Sequence, residues 1–197
     1  MPTGGAMNGE LTGRLNQIMS TITSPAFLSG KGIGNEIAFY IFDYPPEEEL
    51  RVRGQIAFLM DQIPKQHPGL RVSHVNLLTL VTDHLKQRRL LEKAIQMGRN
   101  RGDAPVKAQL SKILDGEKLK PVFVQAAQPD EHDLVLVSGV GSVYPMLRAH
   151  TLLNNLHGVM GRTPLVMFYP GRYDGRSLRL FGKLKNDNYY RAFKLIP

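Results

Sequence analysis

The chain has 197 residues, enough for one domain with a substantial core, and its 42% hydrophobic and 21% charged content is ordinary for a globular protein. No apolar run is long enough to span a membrane as a helix, and the first residues lack the charged-then-apolar order of a signal peptide, so none is expected. The lack of cysteine excludes disulfides, thiolate metal sites and cysteine nucleophiles and fits a reducing cytoplasm, while a net charge of +8 invites anionic partners.

Met1 to Glu10 is Gly-rich and reads as a flexible tail, leaving residues 11–197 as a single domain. Leu11, Leu15, Ile18, Met19 and Ile22 mark an amphipathic helix that ends before Ser24-Pro25, because the residue before proline avoids the α region. Ser29-Gly30-Lys31-Gly32-Ile33-Gly34 resembles a phosphate loop only superficially. Its glycines precede a strand rather than a helix, and no Ser or Thr follows the lysine, so it reads as a lead-in. Ile37 to Phe42 is a buried strand ending at Asp43, which reads as a turn residue or helix cap. A helix then starts at Pro46 with Glu47, Glu48 and Glu49 at its positive end, buries Val52, Ile56, Leu59, Met60 and Ile63, and is expected to stop at Pro64 to Gly69.

Leu70 to Val75 is the next strand, and Asn76 can cap a helix carrying Leu77, Leu78, Val81 and Leu85 on one face. The pattern resumes at Leu90, Leu91, Ala94 and Ile95 after the polar run Lys86 to Arg89, a candidate kink, and Gly98 is its expected end. After a polar loop, Asn100 to Ala104, a short helix carries Val106, Leu110, Ile113 and Leu114. Pro121 to Val124 reads as a brief strand, although a helix end fits the same residues. Pro129 to Asp133 gathers three acids and a histidine, but adjacent loop residues rarely converge on a metal.

Leu134 to Val137 meets the turn Gly139-Val140-Gly141. A helix with Met146, Ala149, Leu153 and Leu156 at helical spacing follows, then a second apolar run from Leu165 to Tyr169. Strand, helix, strand with both strands apolar throughout is a parallel βαβ unit. The useful groups of such sheets collect past the carboxyl ends of the strands, here around Tyr144 and the turn Pro170-Gly171-Arg172-Tyr173-Asp174-Gly175. Leu178 to Phe181 and Tyr189 to Ile196 alternate like strands with one wet face and suggest a closing β-ribbon. The fold expected is therefore α/β: a mainly parallel sheet between helices in three layers, closed by a C-terminal antiparallel β-ribbon.

From Gly161 onward, eight Lys or Arg stand against Asp174 and Asp187, so six of the eight net charges lie there. Such a face can meet phosphates or an acidic protein, or serve only as a solvated surface. Tyrosines interleaved with arginines could stack on bases, anchor a protein interface or close the core edge. The candidate contacts are Tyr144, Arg148, Arg172, Tyr173, Arg176, Arg179, Tyr189 and Arg191. The turn-forming set is Asp43, Pro46, Gly139, Gly141, Pro170, Gly171, Asp174 and Gly175. His150, two residues from Arg148, shares no helix face with it and reads as a tie to the next loop. Ser138 and Ser142 flank the glycine turn, but the local sequence supplies no histidine base. No catalytic, cofactor-binding or metal-ligating residue is assigned.

Several blocks in order resemble the BrxB family of BREX bacteriophage-exclusion systems. They are Gly34-Asn35-Glu36, Tyr40 to Glu47, Gly139 to Pro145, Leu147 to Leu156, Pro170 to Gly175, Leu178 to Gly182 and Asn188 to Phe193. The resemblance runs from about Leu11 to Pro197, with Tyr144 departing from the tryptophan common at that place. It implies a bacterial, cytoplasmic antiviral defence protein encoded beside PglZ of the alkaline-phosphatase class, a large ATPase (BrxC or PglY) and a DNA methyltransferase. The role it implies is an adaptor binding PglZ, and beyond it the BrxC/PglY ATPase. DNA contact through the basic C-terminal face and a degenerate nucleotide-binding domain are the alternatives.

Overall fold

A computed structural model describes residues 4–29, 38–185 and 192–197 of the chain. Its centre is five parallel strands: β1 (Phe39–Tyr44), β2 (Val72–Asn76), β3 (Leu134–Ser138), β4 (Leu165–Tyr173) and, at the far edge, β7 (Phe193–Lys194). They lie in the order β2-β3-β4-β1-β7. The chain crosses from β1 to the opposite edge, then returns through β3 and β4 until β4 lies beside β1. Two short strands, β5 (Leu178–Leu180) and β6 (Leu184–Lys185), continue antiparallel from the end of β4.

Both faces of the sheet are covered, because the central strands are apolar on both. One face takes α1 (Gly4–Ile22) and α3 (Glu49–Gln66), whose Leu15, Ile18, Ile56 and Leu59 pack on Phe42, Leu136, Val166 and Phe168. The other takes α4 (Leu77–Gln87), α6 (Asp103–Ile113), α7 (Gly116–Ala127) and α9 (Ala149–Leu156), with Val81, Leu110, Phe123 and Leu153 on Ile41, Val135, Val137 and Met167. Helix α2 (Pro25–Leu28), helix α5 (Leu91–Arg101) and the single turn α8 (Val140–Val143) complete the set. The three-layer α/β architecture with an antiparallel closing ribbon is the one expected.

The capping residues act as their chemistry suggests. The Asn76 side chain accepts from the backbone N–H groups of Leu78 and Thr79, and Pro46 opens a 3-10 turn that runs into α3. Helix α1 starts at Gly4, inside the stretch expected to form a tail, and ends at Ile22 before Ser24-Pro25 as anticipated.

Several boundaries differ. Pro64 lies inside α3, exposed and in its last turn, because Ile63, just before it, completes the buried stripe and the loss of one hydrogen bond at a helix end is tolerated. Pro121 to Val124 is not a strand but the middle of α7. Leu119, Phe123 and Ala127 are buried at four-residue spacing there, and the Asp115 carboxylate caps the helix on Glu117 N–H. Gly98 does not end α5. It lies inside the helix, where a Cβ would make only ordinary contact with Val106 of α6 at 3.6 Å, and Gly102 at φ +78° makes the joint. Leu78 and Ile95, expected inward, are 40% and 48% exposed. Lys86 to Arg89 is a true break, with Arg89 at φ +54° between α4 and α5. The phosphate-loop-like residues from Gly30 to Gly34 lie outside the described residues.

Candidate functional site at the carboxyl edge of the sheet

Where β4 returns beside β1, a crevice opens at the carboxyl ends of the strands, the usual place for function in such sheets. Its wall is built around Asp43, a buried acid at the end of β1. One carboxylate oxygen accepts from Arg14 of α1 at 2.7 Å, and the other accepts from Tyr173 N–H at 3.0 Å. Asp43 is thus the bolt that joins α1, β1 and β4, and it is neither helix cap nor free turn residue. The Arg14 guanidinium also lies 4.8 Å over the Phe42 ring, which keeps it extended along the apolar wall.

Beyond Tyr169 the strand β4 does not turn. It runs on through Pro170, Gly171 and Arg172 to Tyr173, past the last residue paired with β3, and only then reverses at Asp174 to Ser177. Gly171 is there because a Cβ would collide with the Arg179 carbonyl of β5. The Asp174 carboxylate accepts from the N–H groups of Arg176 and Ser177 and from the Ser177 hydroxyl, with Gly175 at φ +89° between them. Those donors, first the Ser177 N–H, hold the Asp174 carboxyl down at about 2.

The ribbon has two faces. Arg172 and Arg179 are directly opposite each other on the wet one, and both are exposed. Together with Arg14, Asp43, Glu47 and Lys194 they line a cleft of about 670 Å³. Arg179 has Asp174 at 4.0 Å, whereas among the described residues Arg172 and Lys194 have no acid within ion-pair distance. Like charges directly opposite on neighbouring strands repel, and an anion between them would relieve that repulsion. On the other face a smaller recess of about 290 Å³ is lined by Tyr144, Arg148, Tyr169, Lys183 and Leu184. Tyr144 stands edge-on to Phe181 at 6.2 Å. Phe181 is held at φ +55° and is 37% exposed, an unusual backbone state for a bulky residue.

The candidate contacts therefore fall into two groups. Arg172 and Arg179 share the cleft, Tyr144 and Arg148 share the recess, and Arg176 projects from the turn between β4 and β5. Tyr173 is a correction. It is 1% exposed, with its hydroxyl donating to the Ala192 carbonyl, so it holds the C-terminal segment and cannot reach a partner. Tyr189 and Arg191 lie outside the described residues, as does the His150 side chain. The last strand, expected in the ribbon, instead runs parallel to β1, because Leu195 and Ile196 bury on the α1 and α3 side. The ribbon is made by β4, β5 and β6.

Gly139, at φ +77°, makes the turn out of β3; a Cβ there would stand 2.7 Å from the Asn76 side-chain oxygen. Gly141 passes under Phe181 and Pro170. One pairing was invisible in the sequence: His74 Nε2 lies 2.8 Å from Ser138 Oγ, across 64 residues. The register of β2 on β3 is what brings them together. Ser138 is only 5% exposed, burial lowers the His74 pKa, and among the described residues nothing accepts from Nδ1. The pair ties β2 to β3.

The family model for BREX protein BrxB matches residues 73–195, which takes in the ribbon, the recess and the part of the cleft made by β4, β5 and Lys194, but not Arg14, Asp43 or Glu47. A BREX protein BrxB of Bacillus cereus (strain H3081.97) is 41% identical over 187 residues, covering 93% of this chain and 96% of that protein. The chain belongs to the BrxB family. A BREX protein BrxB of Escherichia coli O9:H4 (strain HS) is 38% identical over 184 residues, covering 93% of this chain and 90% of that one. No solved structure matches. As a BrxB-family member the chain has a role in the BREX defence system. No described helix is long and apolar enough to cross a membrane.

Proposed function

We propose that this BrxB-family chain is a non-catalytic adaptor of a BREX complex, acting in the cytoplasm and binding PglZ, with the BrxC/PglY ATPase as a further partner. The observation that carries this reading is the apolar face of the ribbon. Phe181 and Leu184 are 37% and 39% exposed beside Tyr144, and Arg148 and Lys183 border the same recess. An aromatic and aliphatic centre with a cationic rim is the composition of a protein-interface hot spot. The strained backbone at Phe181 lays that ring over Gly141 and beside Tyr144 while leaving part of the residue exposed, and such outliers persist where the surrounding structure holds them, often at functional sites.

Size-exclusion chromatography with light scattering, on the chain alone and co-expressed with its neighbouring PglZ, tests the reading. A stable complex at moderate salt is expected, and Phe181→Glu with Arg148→Glu should abolish it while the helical spectrum stays intact. Separate elution of the wild-type proteins would sink the PglZ assignment.

A second reading rests on the opposed Arg172 and Arg179. They suit the phosphates of DNA, and binding would then fall steeply with salt as counterions are released. A gel shift with no complex at low salt removes that reading.

A further inference from the structure

Helix α3 carries an outer surface, away from the sheet, that neither the core nor the ribbon covers. Leu50 and Phe58, 79% and 50% exposed, are the two most exposed large hydrophobic residues among those described. They stand two turns apart on the outer side of α3, with the exposed small residues Gly54 and Ala57 between them. A Cβ at Gly54 would meet nothing within 4 Å, so the notch is open to solvent. Running obliquely across this outer side at four-residue steps, each about 40° further round the helix, are Glu49, Arg53, Ala57, Asp61 and Lys65. Arg53 pairs with Glu49 at 2.8 Å and Lys65 with Asp61 at 2.7 Å, which fixes the charges in place; Glu49 also accepts from the Tyr44 hydroxyl. Read along the helix, the order is negative, positive, neutral, negative, positive. Turned end for end about Ala57, every charge falls opposite its complement.

We infer that α3 is a self-complementary docking surface for a second copy of this chain, packed antiparallel about a two-fold axis at Ala57. Arg53 then faces Asp61 of the second copy, while Glu49 and Lys65 lie at the flanks of the contact. Leu50 meets the exposed Pro64, and the Phe58 ring enters the notch at Gly54 and Ala57. A two-fold interface repeats each contact twice, so a single helix presents both halves of the site. The apolar pairs drive association, and the exposed charges set its direction and register, since such pairs add little affinity alone. The inference goes beyond the adaptor reading and does not depend on PglZ.

The test is light scattering across a dilution series of the full chain, alone. Wild type is expected to show a monomer–dimer equilibrium. Phe58→Glu should weaken the dimer at least about tenfold, and so should Leu50→Glu, which at its exposure cannot disturb the core. Arg53→Glu should weaken it about fivefold to tenfold by setting acid against Asp61 of the second copy. The double variant Arg53→Glu with Asp61→Arg should recover wild-type association. That recovery is diagnostic, because both intrahelical ion pairs stay broken in the double variant and only the pairs between copies are restored. A monomer at every concentration, a dimer indifferent to Phe58→Glu and Leu50→Glu, or a charge swap that fails to recover would each overturn the inference.

Discussion

Strand β4 has two halves under different rules. From Leu165 to Tyr169 it is buried on both faces, flanked by β1 throughout and by β3 as far as Met167, and every side chain is sealed. From Gly171 to Tyr173 its neighbour on the β3 side is gone, β5 pairs antiparallel, and inward Tyr173 alternates with outward Arg172. The inner half holds the domain together. The outer half spends burial on one face and presents charge on the other, so the same strand carries stability at one end and an exposed basic face at the other.

That contrast can be broken deliberately. Phe168→Ala, in the inner half, should cost about 3–5 kcal/mol in denaturant unfolding, since its ring is fully buried against Phe42. Asp43→Ala, at the junction, should cost about 3 kcal/mol, because it strands the Arg14 guanidinium and the Tyr173 N–H together. A melt unchanged by that substitution would show that the bolt is ornamental. Gly171→Ala should cost about 2 kcal/mol by pushing β5 off the strand, without touching the inner half; hydrogen exchange protection should drop at Leu178 to Leu180 and hold at Leu165 to Tyr169.

Arg172→Ala, in the outer half, should change stability by no more than about 0.5 kcal/mol, in either direction, since it removes a like-charge neighbour of Arg179. Its effect should appear instead in binding to an anionic partner. The smallest effect is at the turn. The Asp174 carboxyl should titrate at about 2 by NMR, below the ordinary value of about 3.9. A pKa lowered on folding adds stability above the unfolded value, and that support fades as pH falls from about 4 toward 2. A midpoint near 4 would mean the Ser177 and Arg176 donors do not hold the carboxylate in solution.

Much of this was legible in the residues. The apolar runs of β1, β3 and β4, the Asn76 cap and the helical stripes of α1 and α3 follow from side-chain periodicity and local hydrogen-bonding capacity. Proline and glycine misled where their local meaning was overruled. Pro121 sits inside α7 because buried Leu119 and Phe123 on either side outweigh one lost hydrogen bond, and Pro64 is carried in the last turn of α3 just after its last buried residue, Ile63. Gly171 serves close strand approach rather than a turn. At the candidate site, Arg172 and Arg179 were recognisable as a basic region, but their direct opposition depends on the register of β4 and β5, seven residues apart in sequence.

The sequence alone determined the α/β class, the parallel core, the basic C-terminal region and the family blocks, because each is written in spacing and residue type along a short stretch. Only the tertiary structure decided that Asp43 bolts Arg14 to Tyr173, that His74 meets Ser138, that Tyr173 is sealed inside, and that the ribbon divides a basic cleft from an aromatic recess. Those contacts join residues from 19 to 130 positions apart. No local pattern can specify such pairings, since they exist only once strand order and register have brought the partners together.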